Sequence, residues 1–85
     1  MEVVSFCKEF PWLAAGTSSG VVHIFDYEKS VLRHALDHGG NAVVRCFWKA
    51  HNNELYLFVA CFDGAIRIWD AKSGTPHKVR VSLVS

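Results

Sequence analysis

Short apolar segments alternate with turn-forming residues along the whole chain, without the sustained 3.6-residue period of an amphipathic helix. The apolar segments are rich in β-branched and aromatic residues, which suit a pleated sheet. Turn signals such as Asp63-Gly64 separate them, because aspartate and glycine tolerate the positive φ of a tight hairpin turn. The pattern predicts strands at residues 3–7, 12–17, 21–26, 31–36, 42–48, 55–61, 65–70 and 77–83.

The chain repeats itself at an offset of 44 residues, which places residues 13–26 on residues 57–70. A leucine, a glycine, an isoleucine and an aspartate are identical in the two copies. Further upstream, residues 3–6 resemble residues 43–47. A repeat of this length indicates a duplicated structural unit.

Two such units predict an all-β protein made of two four-stranded antiparallel meanders. The first unit covers about residues 1–37 and the second about residues 38–85. Residues 29–37 also fit a helix with Ser30 as its N-cap, but the repeat argues for a strand there.

The composition is that of a globular protein: 85 residues, of which 51% are hydrophobic, 13% aromatic and 20% charged, with a net charge of +1. It excludes a disordered tail, which needs low hydrophobicity and high net charge. It also offers no basic surface for binding nucleic acid. The apolar content is high for the length, because a domain of about 60 residues buries only about 60% of its unfolded surface.

The cysteines Cys7, Cys46 and Cys61 lie far apart and form no CxxC pair. The sequence therefore predicts buried free thiols rather than a zinc site or a disulfide framework. Glu2 stands where a secretory signal carries positive charge. The longest apolar run, residues 55–62, is too short for a transmembrane helix, which needs about 20 residues. We expect a cytoplasmic protein.

The polar residues form no pattern that supports catalysis. The five histidines have no cysteine or carboxylate partners at the spacing of a metal site, and no nucleophile is accompanied by a base. Asp26 and Asp70 occupy equivalent positions in the two repeats, so each belongs to its own unit. We predict no catalytic, metal-binding or cofactor-binding residues.

The second repeat contains the sequence DGAIRIWD at residues 63–70, which resembles the signature of the WD-repeat β-propeller family. The resemblance covers nearly the whole chain. More narrowly, FC at 6–7, LAAG at 13–16, LRH at 32–34 and IRIWDAKSG at 66–74 resemble one branch of that family. This branch contains the angio-associated migratory cell protein and its fungal relatives, which chaperone a ribosomal protein.

The resemblance implies that a hydrogen-bonded tetrad stabilises the second unit. It places His38, Asp63 and Trp69 at three tetrad positions. Cys61 stands at the fourth, where the family has serine or threonine and where a thiol is a poor donor. The first unit has Phe25 at the tryptophan position, so we expect it to rely on packing.

The resemblance also implies a non-enzymatic scaffold that binds other proteins, with a ribosomal protein as partner in ribosome assembly and no direct contact to nucleic acid or membrane. The family binds partners through the loops between the second and third strands and those leading into the first strand. The candidate contact residues in these loops are Ser18, Ser19, Asn41 and Phe62.

A propeller has about 4–8 blades, and two repeats supply two. The resemblance therefore implies that the chain is a fragment of a propeller. Further blades or self-association must then cover the exposed sides of its two sheets. The alternative is a self-contained β-sandwich that binds a ligand between its two sheets.

Overall fold

The computed structural model describes residues 2–82, and of residues 78–82 it describes the backbone alone. The strands are β1 (Val3–Phe6), β2 (Trp12–Gly16), β3 (Val21–Asp26), β4 (Val31–Asp37), β5 (Val43–His51), β6 (Glu54–Cys61), β7 (Ala65–Asp70) and β8 (Thr75–Ser82). β1 to β4 form one antiparallel sheet and β5 to β8 a second, each in chain order. The prediction of an all-β fold with two four-stranded meanders is confirmed. Within residues 2–82 there is no helix with the length and apolarity that crossing a membrane requires.

The strand bounds differ from the prediction mainly at the ends. β5 continues to His51 instead of ending at residue 48. The reason is that Asn52 and Asn53 adopt positive φ angles of 49° and 65° and close a two-residue hairpin turn. β8 begins at Thr75 rather than at residue 77, and its predicted end at residue 83 lies outside the described residues.

The segment that also fitted a helix is a strand. β4 pairs with β3 from Val31, opposite Asp26, to Asp37, opposite Val21. Ser30 has a φ of 56° in the turn before β4, so it is not a helix N-cap. The repeat therefore predicted this segment correctly.

The pairing register corrects the sequence alignment of the first strands. Phe6 lies opposite Leu13 in the first sheet, and Trp48 lies opposite Leu57 in the second. Because Leu13 and Leu57 are equivalent in the repeat, Phe6 corresponds to Trp48 and not to residue 47. A register shift between Val43 and Arg45 displaces β5 relative to the alignment made from sequence alone.

The two sheets pack face to face around one buried core, and we call the packed sides the inner faces. The inner face of the first sheet carries Ala14, Val22 and Ile24, each 0% exposed. Leu57 and Val59 of the second sheet are equally buried and belong to the same cluster. At about 25 cal/mol per Å² of apolar surface removed from water, this packing is the main stabilising contribution to the pair of sheets.

Hydrogen bonds connect the two sheets at both edges: between the first strands, β1 and β5, and between β4 and the turn that precedes β8. The Trp48 indole of β5 donates to the Ser5 carbonyl of β1 at 3.0 Å. On the other side, His34 Nε2 of β4 donates to the Lys72 carbonyl, also at 3.0 Å. The His34 ring lies so close to Gly74 that a Cβ there would overlap it. These contacts fix how the sheets sit on one another.

The opposite sides of the two sheets, which we call the outer faces, are apolar and open to solvent. In the first sheet, Phe6 is 63% and Phe25 is 38% exposed. In the second, Phe47 is 44% exposed and stacks on Phe58, with ring centroids 5.0 Å apart. A self-contained sandwich would have polar outer faces, so these faces argue for sheets that continue a larger stack.

Candidate protein-contact face

The β2–β3 turn, the β4–β5 loop and the β6–β7 turn meet at one end of the sheets, and we call this end the loop face. Main-chain hydrogen bonds join its segments: His38 N to Gly20 O (2.9 Å), Val43 N to Thr17 O (3.1 Å) and Phe62 N to Ala42 O (2.8 Å). Gly20 has a φ of 90°, and a side chain there would meet the Asn41 backbone at 2.8 Å. Only glycine allows this approach of the two segments.

His38 lies under the loop face, 3% exposed, and both of its ring nitrogens are hydrogen-bonded. Nδ1 donates to the Gly20 carbonyl at 2.8 Å, and Nε2 accepts a 2.9 Å bond from the Trp69 indole. Because an indole N–H can only donate, the imidazole is neutral with its proton on Nδ1. His38 therefore connects Trp69 of the second sheet to a turn of the first.

The surroundings of His38 favour this neutral form. Burial lowers its pKa from the usual 6.5, and the positive charge of Arg67 acts in the same direction. The hydrogen bond to the Gly20 carbonyl opposes the shift without cancelling it. The charged imidazolium would also lose the bond from Trp69, since its Nε2 would carry a proton.

The other two tetrad positions lie at the adjoining β6–β7 turn. One Asp63 carboxylate oxygen accepts the Ala65 N–H at 3.1 Å, and the other forms an ion pair with Arg67 Nη2, also at 3.1 Å. Cys61 is 5% exposed, and burial raises the pKa of its thiol. The structure thus brings His38 and Trp69 into direct contact. Asp63 stabilises the β6–β7 turn and pairs with Arg67.

Phe62 is the most exposed large apolar side chain of the described residues, with 83% of its surface accessible. It stands beside a cleft of about 260 Å³ between the first-sheet turn and the second-sheet loop. The cleft is lined by Ser18, Ala42, Val43, Val44 and Phe62. An exposed aromatic ring next to an apolar cleft, held by a main-chain bond, is typical of a contact anchor.

The remaining candidate contact residues have different surroundings. Ser18 lines the cleft with Phe62. Ser19 shares a 2.8 Å hydrogen bond with the Thr17 hydroxyl. The Asn41 side-chain amide donates to the His38 carbonyl at 2.9 Å. The loop face therefore brings Ser18 and Phe62 to one surface, while Ser19 and Asn41 also stabilise the loops around it.

Asp26 and Asp70 each hold the turn that follows their own strand. The Asp26 carboxylate accepts the N–H groups of residues 28 and 29 at 3.1 and 3.0 Å. Asp70 accepts those of residues 72 and 73 at 3.0 and 3.2 Å. In the part of the chain that the structure describes, no group of three or more histidine, cysteine or acidic side chains is placed to hold a metal ion.

Two residues of this region were not found from sequence. Gly20 contributes a carbonyl, which no side-chain pattern reveals. Arg67 was assigned no role from the sequence. Strand alternation was the available signal, since Arg67 and Trp69 are two residues apart and so share one side of β7.

Each sheet is a four-stranded meander, the two sheets pack face to face, and their first strands, β1 and β5, are in contact. This is the arrangement of neighbouring blades in a β-propeller. The chain is similar to an uncharacterised WD repeat-containing protein of Schizosaccharomyces pombe, with 35% identity over 74 residues. The match covers 87% of this chain and 18% of that protein. No protein-family model matches the chain.

A solved structure shows the same arrangement. The crystal structure of Saccharomyces cerevisiae Sqt1 matches 94% of this chain with a TM-score of 0.77 and 22% sequence identity. The chain covers 20% of Sqt1 and thus spans about a fifth of each of these proteins. The fold is that of two adjacent propeller blades, and the sandwich alternative is wrong.

Proposed function

We propose that the chain is a non-enzymatic protein-interaction segment of the WD-repeat family and that its loop face contacts the partner. The observation that carries this proposal is Phe62, 83% exposed beside an apolar cleft at the junction of the two blades. Exposed aromatic anchors next to pockets supply much of the energy of protein interfaces. Main-chain hydrogen bonds hold the anchor in place, which reduces the entropy that binding costs.

We further propose that the partner is a ribosomal protein, which the segment chaperones during ribosome assembly in the cytoplasm. The support is the resemblance of residues 6–7, 13–16, 32–34 and 66–74 to the branch of the family with that role. The three cysteines are free and buried, which suits a reducing compartment. The proposal includes no direct contact with nucleic acid or membrane.

A photo-crosslinking amino acid placed at position 62 tests the proposal in cells. We expect one ribosomal protein to be linked at this position and not to a probe placed at Val31. Val31 is 44% exposed and lies at the opposite end of the sheets, so it is the matched control.

Binding of the purified partner then provides the quantitative test. We expect Phe62→Ala to weaken binding at least tenfold, about 1.4 kcal/mol, because a contact anchor is lost. Val31→Ala should leave the affinity unchanged. Equal affinities for the two variants would show that the loop face is not the contact surface.

A further inference from the structure

Two consecutive valines of β5, Val43 and Val44, both line the cleft at the loop face. Consecutive residues of a regular strand project to opposite sides of the sheet. The pairing with β6 shifts between Val43 and Arg45, which leaves Val44 as the extra residue of a β-bulge. Bulges change the direction of a side chain and are frequent beside functional sites. The bulge in β5 therefore gives the cleft a second valine.

Val43 forms a buried floor of the cleft. Its N–H donates to the Thr17 carbonyl at 3.1 Å, and only 5% of its surface is exposed. Gly16 lies so close to the Val43 side chain that a Cβ there would overlap it. Val44 and Phe62, by contrast, are both exposed. The cleft thus combines a tightly packed floor with two apolar walls that solvent still contacts.

The lining of the cleft is uncharged. Among its lining residues, the Ser18 hydroxyl is the only polar side-chain group. Asp63, which follows Phe62 in the chain, is paired with Arg67 at 3.1 Å. A charged side chain buried in the cleft would lose its hydration without gaining an ionic partner from the lining, which is costly. The electrostatics of the cleft therefore match an uncharged, apolar occupant.

The size of the cleft restricts this occupant further. Its volume is about 260 Å³. An apolar cavity of about 150 Å³ accommodates a group of the size of benzene, whereas binding sites for drug-sized molecules occupy about 300–1,000 Å³. The cleft therefore suits one large side chain of a protein better than a complete small-molecule ligand.

We propose that the cleft binds one large apolar side chain from a peptide segment of the partner. This inference rests on the proposed function, since it assigns a ligand to the surface that contacts the partner. The incoming side chain packs between Val44 and Phe62 and covers Val43. Binding removes apolar surface of both molecules from water, which is the source of the affinity.

Two substitutions of Ser18 test the proposal by closing the cleft or keeping it open. Ser18 is exposed in the turn between β2 and β3, so its replacement leaves the core intact. The main-chain bond that closes this turn, from Gly20 N to Thr17 O at 3.2 Å, is present in both variants. Ser18→Leu adds a side chain that fills the cleft. Ser18→Ala leaves the cleft open and is the matched control.

The probe is a set of peptides selected on the protein from a display library of random sequences. We expect the selected peptides to share one large apolar residue, whose replacement by lysine abolishes binding. Ser18→Ala should bind them like the unsubstituted protein. Ser18→Leu and Phe62→Ala should each bind them at least about tenfold more weakly. In methyl NMR spectra, the peptides should shift the signals of Val43 and Val44 but not those of Val31.

Three results would overturn the proposal. The first is a set of selected peptides that share a charged residue instead of an apolar one. The second is unchanged binding of the peptides to Ser18→Leu. The third is a library from which no peptide is selected, which would mean that the cleft is closed or already filled.

The purified partner distinguishes a failure of this inference from a failure of the proposed function. A partner that binds Ser18→Leu normally but not Phe62→Ala contacts the loop face without using the cleft, which contradicts the inference alone. A partner that binds both variants normally does not contact the loop face, which contradicts the proposed function. We expect the partner to lose affinity for both variants and to bind Ser18→Ala normally.

Discussion

Replacing Gly74 by alanine perturbs the contact between the outer strand of the first blade and the last turn of the second. Gly74 has a φ of 74°, a conformation that costs a residue with a Cβ about 1–2 kcal/mol. The added methyl group would also overlap the His34 ring. Displacing that ring costs roughly 1–3 kcal/mol for overpacking. Loss of its bond to the Lys72 carbonyl costs about 0.5–1.5 kcal/mol more.

Gly40 provides a matched control, because its φ is 81° and a Cβ there would meet nothing within 4 Å. We expect Gly40→Ala to lower the free energy of unfolding by the backbone cost alone, about 1–2 kcal/mol. Gly74→Ala should lower it by about 2.5–6.5 kcal/mol, from the same backbone cost plus the displacement of the His34 ring and the loss of its hydrogen bond. Urea unfolding followed by tryptophan fluorescence, at one fixed chain concentration, measures both values.

A double-mutant cycle assigns the difference to His34. In a His34→Ala background there is no ring to displace, so Gly74→Ala should cost no more than Gly40→Ala. If Gly74→Ala and Gly40→Ala are equally destabilising with His34 present, the two blades do not touch at this turn. If the difference persists without His34, another neighbour causes it.

Three further predictions concern buried polar groups. Burial lowers the pKa of His38 in the folded state, so the unfolded chain binds more protons and stability falls as the pH drops below 6.5. Between pH 7.5 and 5.5 this loss is at most about 1.4 kcal/mol, and it should be absent from the urea-unfolding profile of His38→Asn. Trp48→Phe keeps an aromatic ring but removes the hydrogen-bond donor to the Ser5 carbonyl, so it should lower the free energy of unfolding by about 1–3 kcal/mol. A change within error of zero would contradict this hydrogen bond. Burial raises the pKa of Cys46 to about 11, so iodoacetamide should alkylate it in urea but not in the native chain at pH 8, as mass spectrometry can check.

The strands could be predicted because their signals are local. Alternation and the glycine turns place each strand, and the repeat decides residues 29–37 in favour of a strand. The length of β5 was missed, since Asn52 and Asn53 mark a turn in the sequence but do not show that it is a two-residue hairpin. The bulge near Val43 was missed for the same reason, because a register shift is a property of two paired strands.

The site was harder to predict because its contacts join distant parts of the chain. The resemblance placed His38 and Trp69 together, and both lie in one hydrogen-bonded unit. The acceptor for the other ring nitrogen is a main-chain carbonyl 18 residues earlier, in the other blade. Every residue has a main-chain carbonyl, so the sequence does not show which carbonyl accepts this bond. Only the three-dimensional packing of the blades reveals Gly20 as the partner.

In the loop face, the groups that stabilise the fold are different from the groups that a partner would contact. Peptide groups, which every residue except proline possesses, make the bonds of Gly20, Thr17 and Ala42. Ser18 and Phe62 line the cleft, and their side chains make none of those bonds. Sequence drift at these two positions can therefore change which partner is recognised without altering the framework. This surface is well suited to acquiring new specificity during evolution.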